Sequence, residues 1–346
     1  MEELIEEYGN MILVELGKYL KAVVDRADAY HPVVSRAYSA LSDLVERRGK
    51  RFASCCTLIV YEGYTGEIDP RILRVCSAVE MYRHSILIHD DLADGDEQRR
   101  GGATVHRLLA EGFDSSFGNR ASIFLGDMAF SLTLELLGSS GFPAKKISRS
   151  MLLVADEYRK VNESQILDVL FEYKVDVDVD EWEVMASQRA ASLFEVALSL
   201  GGLFANAPER DLPKLARAAR HMGYAFDIQD DIIDTYAEEE EYGRPPCRDI
   251  ASGKKPLHIA LTLRSQPPWP STIRSLIGKR ELDQSDVKRI REVVERSGAL
   301  SQAKKRIHAH IEDAKDAISS TSMSIRSKGL LEYLLDYIEE SLSWYV

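Results

Sequence analysis

Residues 82–106 read YRHSILIHDDLADGDEQRRGGATVH, an apolar helical run that ends abruptly in Asp90, Asp91 and Asp94. Asp96 and Glu97 follow, then Arg99 and Arg100, then Gly101 and Gly102. Residues four apart share a helix face, so Asp90 and Asp94 can hold one cation between them. A carboxylate cluster without counter-charge repels itself and is tolerable either in water or around a metal. Oxygen donors favour a hard ion such as magnesium, which commonly bridges carboxylates and phosphates. The arginines beyond add forked donors suited to phosphate. Taken alone, the stretch reads equally well as a solvated helix end followed by a polar loop.

The 346 residues are 45% hydrophobic and 29% charged, ordinary globular material with enough for a large core. No Ser/Gly linker, low-complexity block or short repeat divides the chain, so one large domain over residues 1–346 is expected. A net charge of −12 argues against non-specific nucleic-acid binding, which needs a basic footprint. Cys55, Cys56, Cys76 and Cys247 show no metal-ligand spacing and read as reduced core fillers of a cytoplasmic protein. The opening MEELIEEYGN is acidic and amphipathic, unlike a signal peptide. The longest weakly polar run, Ala190–Ala205, is interrupted by Glu195 and is too short to span a bilayer, so no transmembrane segment is expected.

Helical periodicity dominates. Leu4, Tyr8, Met11, Ile12, Leu16, Tyr19, Leu20 and Val23 mark a first amphipathic helix, and Val33–Val45 a second. A third spans Phe52–Tyr64, stopped by Gly66. Asp69 and Pro70 supply an N-cap and a first-position proline for a helix over 70–93. Further helices are expected at about 119–138, 143–173, 180–206, 209–237, 254–264 and 284–297, with two more towards the C-terminus. Glu238–Pro246 reads as a mobile loop, and the Val/Asp alternation at 175–180 is too acidic to persuade as a strand. Ten or more helices with short connections predict an all-α fold, a single large helical bundle with its site on facing core helices.

Residues 223–234, GYAFDIQDDIID, repeat the opening feature: Asp230, Asp231 and Asp234 close an apolar helix, with Asp227 one turn earlier. Two such clusters on separate long helices, facing across a bundle, would make an acidic mouth for several divalent cations. That mouth suits a diphosphate, whose departure metals assist. Apolar residues behind each cluster would line a shaft for a hydrocarbon tail.

The chain resembles the trans-isoprenyl diphosphate synthases of the polyprenyl synthetase family over nearly its whole length. RGKRF (48–52), the first aspartate motif with its RRG (99–101), LGDM (125–128), ESQILD (163–168), RAASLF (189–194), AFDIQDDIID and DIASGKK (249–255) match seven family segments in order. The resemblance implies an isoprenoid-synthase bundle around a central cavity. It also implies head-to-tail condensation of isopentenyl diphosphate with an allylic prenyl diphosphate, up to three magnesium ions and a homodimer. By the same resemblance Asp90, Asp94 and Asp230 are the main magnesium ligands, with Asp91, Asp231 and Asp234 in support. Arg99 grips the allylic diphosphate, while Arg100, Lys50 and Arg51 serve the homoallylic one. Lys254 reaches the leaving diphosphate with Arg189 as a second cation, although Arg189 also reads as an ion pair with Glu183 or with another helix. Gln165 and Asp168 line the cavity, Asp127 stays open between cavity and buried network, and His89 and His106 support rather than ligate.

The chain departs from the family at several homoallylic positions. Ala53 stands for an arginine, Arg83 for a histidine or glutamine, Asp227 for a glutamine, Arg189 for a lysine and Ala190 for a threonine. Arg83 is expected to replace the charge lost at Ala53. Ile86 and Ser85 stand where short-product relatives carry aromatics, so Tyr82 is the next candidate floor and a product of about twenty to twenty-five carbons is expected, one helical turn of about 5.4 Å approximating one isoprene unit. Two other readings stay open: a weakly active subunit of a heteromeric synthase, and a class I terpene synthase that ionises a prenyl diphosphate without an acceptor.

Overall fold

The computed structural model describes residues 1–47, 51–239 and 245–341. Helix α1 (Glu2–Tyr30) buries Ile5, Tyr8, Ile12, Leu16, Tyr19, Leu20 and Val23 on one stripe, following the three-and-four spacing of its apolar residues. In α2 (Pro32–Glu46) the His31 imidazole accepts from the Val33 amide ahead of a first-position proline. Next, α3 (Phe52–Thr65) ends on left-handed Gly66. The expected cap opens α4 (Pro70–Ala93): the Asp69 carboxylate accepts from the Arg71 amide at 2.9 Å. Because α1, α3 and α6 pack around α4, it is buried on most sides. The helix that carries the first aspartates is therefore a core helix.

The remaining elements are a two-stranded hairpin, β1 (Gln98–Arg99) with β2 (Gly102–Ala103), then α5 (Val105–Ala110), α6 (Ser115–Gly138), α7 (Ala144–Tyr173), α8 (Val179–Ala186), α9 (Arg189–Phe204) and α10 (Leu212–Tyr236). After them come α11 (Arg248–Ser252), α12 (Leu257–Leu263), α13 (Trp269–Arg274), α14 (Gln284–Arg296), α15 (Ala299–Ser319) and α16 (Ile325–Glu340). The all-α expectation holds, with corrections. The helix expected over 180–206 is two helices, broken at Ser187 and Gln188. α6 starts earlier than expected because Asp114 caps it through the Phe117 amide. Short α5 and α13 carry no strong periodic signal. The expected loop at 238–246 falls partly outside the described residues; of its ends, Glu238 pairs with Arg291 at 2.7 Å.

Among the described residues one helix, α6, is long and apolar enough to cross a membrane by length and composition alone. Core helices pass the same test, and α6 packs against α4 and α5. All four cysteines are free and buried. Burial pushes the Cys56 and Cys247 thiols up to about 12, as expected of inert core fillers.

By its contacts the chain forms two compact units. The first comprises Met1–Leu153, Val196–Pro208 and Met323–Ser327; the second comprises Val154–Glu195, Glu209–Ser322 and Lys328–Val346. The first holds Asp90–Asp96 on and after α4. In the second, α10 with Asp227–Asp234 lies along α15, and Cys247, Ile250, Ile259, Ile273, Ile290 and Val294 form an apolar cluster.

Candidate active site

In the first unit α4 ends at Ala93, with the Asp94 amide closing on the Asp90 carbonyl at 2.9 Å. Asp90 and Asp94 are half-buried and Asp91 is buried. Arg99 reaches back to three of the neighbouring carboxylates: 2.5 Å to Asp91, 3.4 Å to Asp90 and 3.6 Å to Asp96. The chain after α4 makes this possible by turning through Arg100 (φ 53°) and Gly101 (φ 75°). Two consecutive left-handed residues make the tight hairpin turn whose twist matches paired strands. Arg99 and Gly102 thus pair across the hairpin, and Thr104 Oγ1 donates to the Asp96 carbonyl at 2.7 Å. Burial pushes the Asp91 carboxyl up to about 6 against the pull of Arg99. His89 Nε2 lies 3.3 Å from Asp127, whose side chain is 67% exposed. Asp127 therefore belongs to no buried network, and His89 is its partner.

Behind this cluster sits a cationic group. Arg51 is the left-handed residue at the start of α3 and donates to the Val45 carbonyl at 3.1 Å. Burial, reinforced by Arg83 and partly offset by Glu80, pushes the Arg100 guanidinium down to about 9. Burial alone would raise the Glu80 carboxyl, but His84, Arg83, the Ser54 hydroxyl at 2.6 Å and Arg51 outweigh it and hold it below its usual range. Arg51, Arg83 and Arg100 thus share the field of one buried carboxylate. Lys50 lies outside the described residues. Tyr82 and Ser85 are fully buried on α4, the Ser85 hydroxyl donating to the Tyr82 carbonyl at 2.7 Å.

Arg47 was not singled out from the sequence. Its Nη1 donates to the Arg99 carbonyl at 3.0 Å while Nε and Nη2 hold Asp43 at 3.1 and 2.5 Å. The four-residue spacing of Asp43 and Arg47 was the available signal for that pair.

In the second unit Asp227, Asp231 and Asp234 are buried and Asp230 is exposed. Arg189, the first residue of α9, meets three carboxylates. Its Nε donates to both Asp227 oxygens at 2.8 and 3.0 Å, Nη2 to both Asp231 oxygens at 3.1 and 3.3 Å, and Nη1 to Asp168 at 3.2 Å. Gly223, one turn before Asp227, permits this approach: a Cβ there would sit 2.3 Å from the Ala191 Cα. Of the two alternatives raised for Arg189, the ion pair is with other helices, and Glu183 pairs instead with Arg306. Lys254 Nζ lies 3.0 Å from Asp168. Lys255 donates to the Phe171 and Glu172 carbonyls, closing the end of α7. Gln165 sits half-buried one turn before Asp168, and the Asp249 amide donates to Asp234 Oδ2 at 3.2 Å. Burial raises the Asp227 and Asp231 carboxyls despite Arg189. Burial would also raise Asp168, but Arg189 and Lys254 together hold it low.

Among the described residues no three acidic, histidine or cysteine side chains gather tightly enough to hold an ion by themselves. Magnesium does not demand that, since one or two carboxylates commonly share it with waters and substrate phosphates. The donors fit. Asp91 Oδ2 is buried with no hydrogen-bond partner among the described residues. In the second unit the carboxylates near Asp231 outnumber Arg189 and Lys254, so added positive charge relieves repulsion.

The family described as Polyprenyl synthetase matches residues 34–294, a span that takes in both clusters. The chain belongs to the polyprenyl synthetase family. It is 29% identical over 310 residues to a geranylfarnesyl diphosphate synthase of Aeropyrum pernix, covering 88% of this chain and 94% of that protein. A solved geranylgeranyl pyrophosphate synthetase from Pyrococcus horikoshii is 26% identical, with a TM-score of 0.83 over 97% of this chain and 98% of that one. A geranylgeranyl pyrophosphate synthase from Corynebacterium glutamicum, solved in complex with isoprenyl diphosphate and magnesium, shares the fold at a TM-score of 0.90 and 24% identity, covering 97% and 99% of the two chains. In this polyprenyl synthetase, the two aspartate clusters lie near the ends of the long helices α4 and α10.

Proposed function

We propose that this chain is a magnesium-dependent trans-prenyl diphosphate synthase, a prenyltransferase that condenses isopentenyl diphosphate head-to-tail with an allylic prenyl diphosphate. The observation that carries the reading is the pair of carboxylate clusters near the ends of α4 and α10, each with its own arginine, in a chain of this family. The family match crosses both compact units, which supports one catalytic domain over residues 1–346.

Asp90, Asp94 and Asp230 would hold magnesium, with Asp91, Asp231 and Asp234 behind them. Up to three ions, when bound, supply Lewis-acid stabilisation of the departing diphosphate. Arg99 and Lys254 meet the developing negative charge on the allylic side, where preorganised cations cost no rearrangement during reaction. Arg51, Arg83 and Arg100, with Lys50, hold the isopentenyl diphosphate. Gln165 and Asp168 line the allylic side. The isopentenyl double bond attacks the carbon that loses diphosphate, and the departing diphosphate takes the proton that leaves the new chain. The arginine group around Glu80 supports Arg83 as the replacement for charge missing at Ala53.

Fully buried Tyr82 sets the product at about twenty to twenty-five carbons, each turn of α4 below it adding about 5.4 Å of depth. Tyr82→Ala lengthens the product by about one isoprene unit; unchanged product length would remove Tyr82 as the floor. Neighbouring Ile123 and Phe124 on α6 are exposed, and apolar side chains that a second copy would cover support a homodimer. The buried, free thiols agree with work in the cytoplasm.

The test is to incubate purified protein with magnesium, isopentenyl diphosphate and each allylic diphosphate in turn. Elongated products of defined length support the proposal. Cyclised or hydrolysed primer would instead indicate a terpene synthase, and turnover only with a partner chain a heteromeric subunit.

A further inference from the structure

Arg189 and Asp227 stand where the family carries a lysine and a glutamine, and in this chain they are bonded to each other. The Arg189 Nε spans both Asp227 oxygens at 2.8 and 3.0 Å, and the same guanidinium spans both Asp231 oxygens at 3.1 and 3.3 Å. Its remaining edge reaches Asp168 on α7 at 3.2 Å. A planar fork can serve three carboxylates from two helices at once, which the single ammonium of a lysine cannot. An uncharged glutamine in place of Asp227 would in turn leave the fork without its closest anchor. Each unusual residue makes sense in the presence of the other.

Two consequences follow from the geometry. The Arg189 donors are committed to carboxylates of the protein, with the side chain only 17% exposed. Asp231, meanwhile, has both oxygens turned to the guanidinium, while its neighbour Asp230 is exposed. Resting on the prenyl-transfer reading above, we propose that Arg189 and Asp227 act as one positioning unit. Asp227 fixes Arg189 as a resident counter-ion, and Arg189 holds Asp231 back from the metal edge of α10, leaving exposed Asp230 to meet magnesium and Lys254 to meet the leaving diphosphate.

The test is a cycle of Arg189→Lys, Asp227→Gln and the double variant, with Asp231→Asn beside it. Thermal midpoints are measured without ligand, and magnesium is then titrated against the midpoint at fixed inorganic diphosphate. kcat and KM for elongation follow. The single variants should each lose stability and elongation, and the double variant should recover both, with a coupling of about tenfold, ordinary for contacting charged groups. Asp231→Asn should leave the apparent magnesium affinity within about twofold of wild type, the scatter expected where no direct contact is lost. Additive single effects would overturn the pair. A weakening of magnesium by about tenfold or more in Asp231→Asn, the scale of a lost direct contact, would overturn the claim that Asp231 is held back. The ligand-free cycle reads the pair whether or not the protein elongates prenyl chains. Coupling without elongation therefore indicts the functional reading, and elongation without coupling indicts the pair.

Discussion

In the first aspartate cluster the counter-charge comes from the same stretch of chain: Arg99 lies eight residues after Asp91 and is returned to it by a tight hairpin. In the second it comes from another helix, Arg189 lying 38 residues before Asp227. The residue types are alike but the construction is not. An arginine on a short hairpin beside half-buried Asp90 can trade a carboxylate for a phosphate with little disturbance of the core. An arginine locked between α7, α9 and α10 cannot, because buried Asp227 and Asp231 would lose their partner together and Asp168 would keep only Lys254. The first arginine is therefore suited to meet substrate and the second to hold the frame.

The largest expected effect concerns what the clusters share. Asp90→Asn and Asp230→Asn should each lower kcat by about 10²–10³-fold, the scale for removing one preorganised electrostatic group. Thermal unfolding of both should stay near wild type, since Asp90 and Asp230 are not fully buried. A large loss from one and none from the other would break the equivalence of the clusters.

Removing the arginines separates the two constructions. Arg189→Met should cost about 3–5 kcal/mol in urea unfolding, the usual penalty for stranding buried charge. Arg99→Met should cost about 1–3 kcal/mol, because Asp91, pushed up to about 6, can take a proton more readily. Its main loss should appear in kcat. Equal stability losses would contradict the contrast between frame and substrate contact. A smaller change is expected from Arg83→Ala, which should raise the KM for isopentenyl diphosphate about tenfold through one lost charge-assisted contact. An unchanged KM would remove Arg83 from the acceptor site.

The smallest effect tests what the units have in common. Burial pushes His84 in the first unit down to about 4 and His258 in the second to about 3, and His258 contacts Thr235 at 2.9 Å. Both are neutral when folded and titrate near 6.5 when exposed. As pH falls below 6.5 the unfolded chain binds protons that the folded one refuses, so stability present above 6.5 is lost progressively towards the folded values. Each contributes a slope of at most about 1.4 kcal/mol per pH unit. His258→Gln should flatten the acid limb of the unfolding curve, and an identical limb in the variant would rule His258 out as a contributor.

Much of the helical order was legible because capping and periodicity are local. Asp69 and Pro70 opened α4 as expected, and the three-and-four spacing of α1 gave its buried face. The break after Ala186 was not legible, since no glycine or proline marks it and α9 instead begins where Arg189 meets α7 and α10. The arginine turn was visible only as punctuation: Arg100 and Gly101 lack the usual Asn-Gly signal for two left-handed residues. The aspartate clusters themselves were readable from spacing. The bond between Arg189 and Asp227 was not, because only the approach at Gly223 brings them together.

The most direct measurement supplies isotopically labelled isopentenyl diphosphate with an allylic primer, with magnesium and again with a chelator, and reads the product mass. The account predicts a linear prenyl diphosphate carrying a whole number of labelled five-carbon units, formed only with magnesium. Label-free product, or the same labelled product in the presence of the chelator, would contradict it.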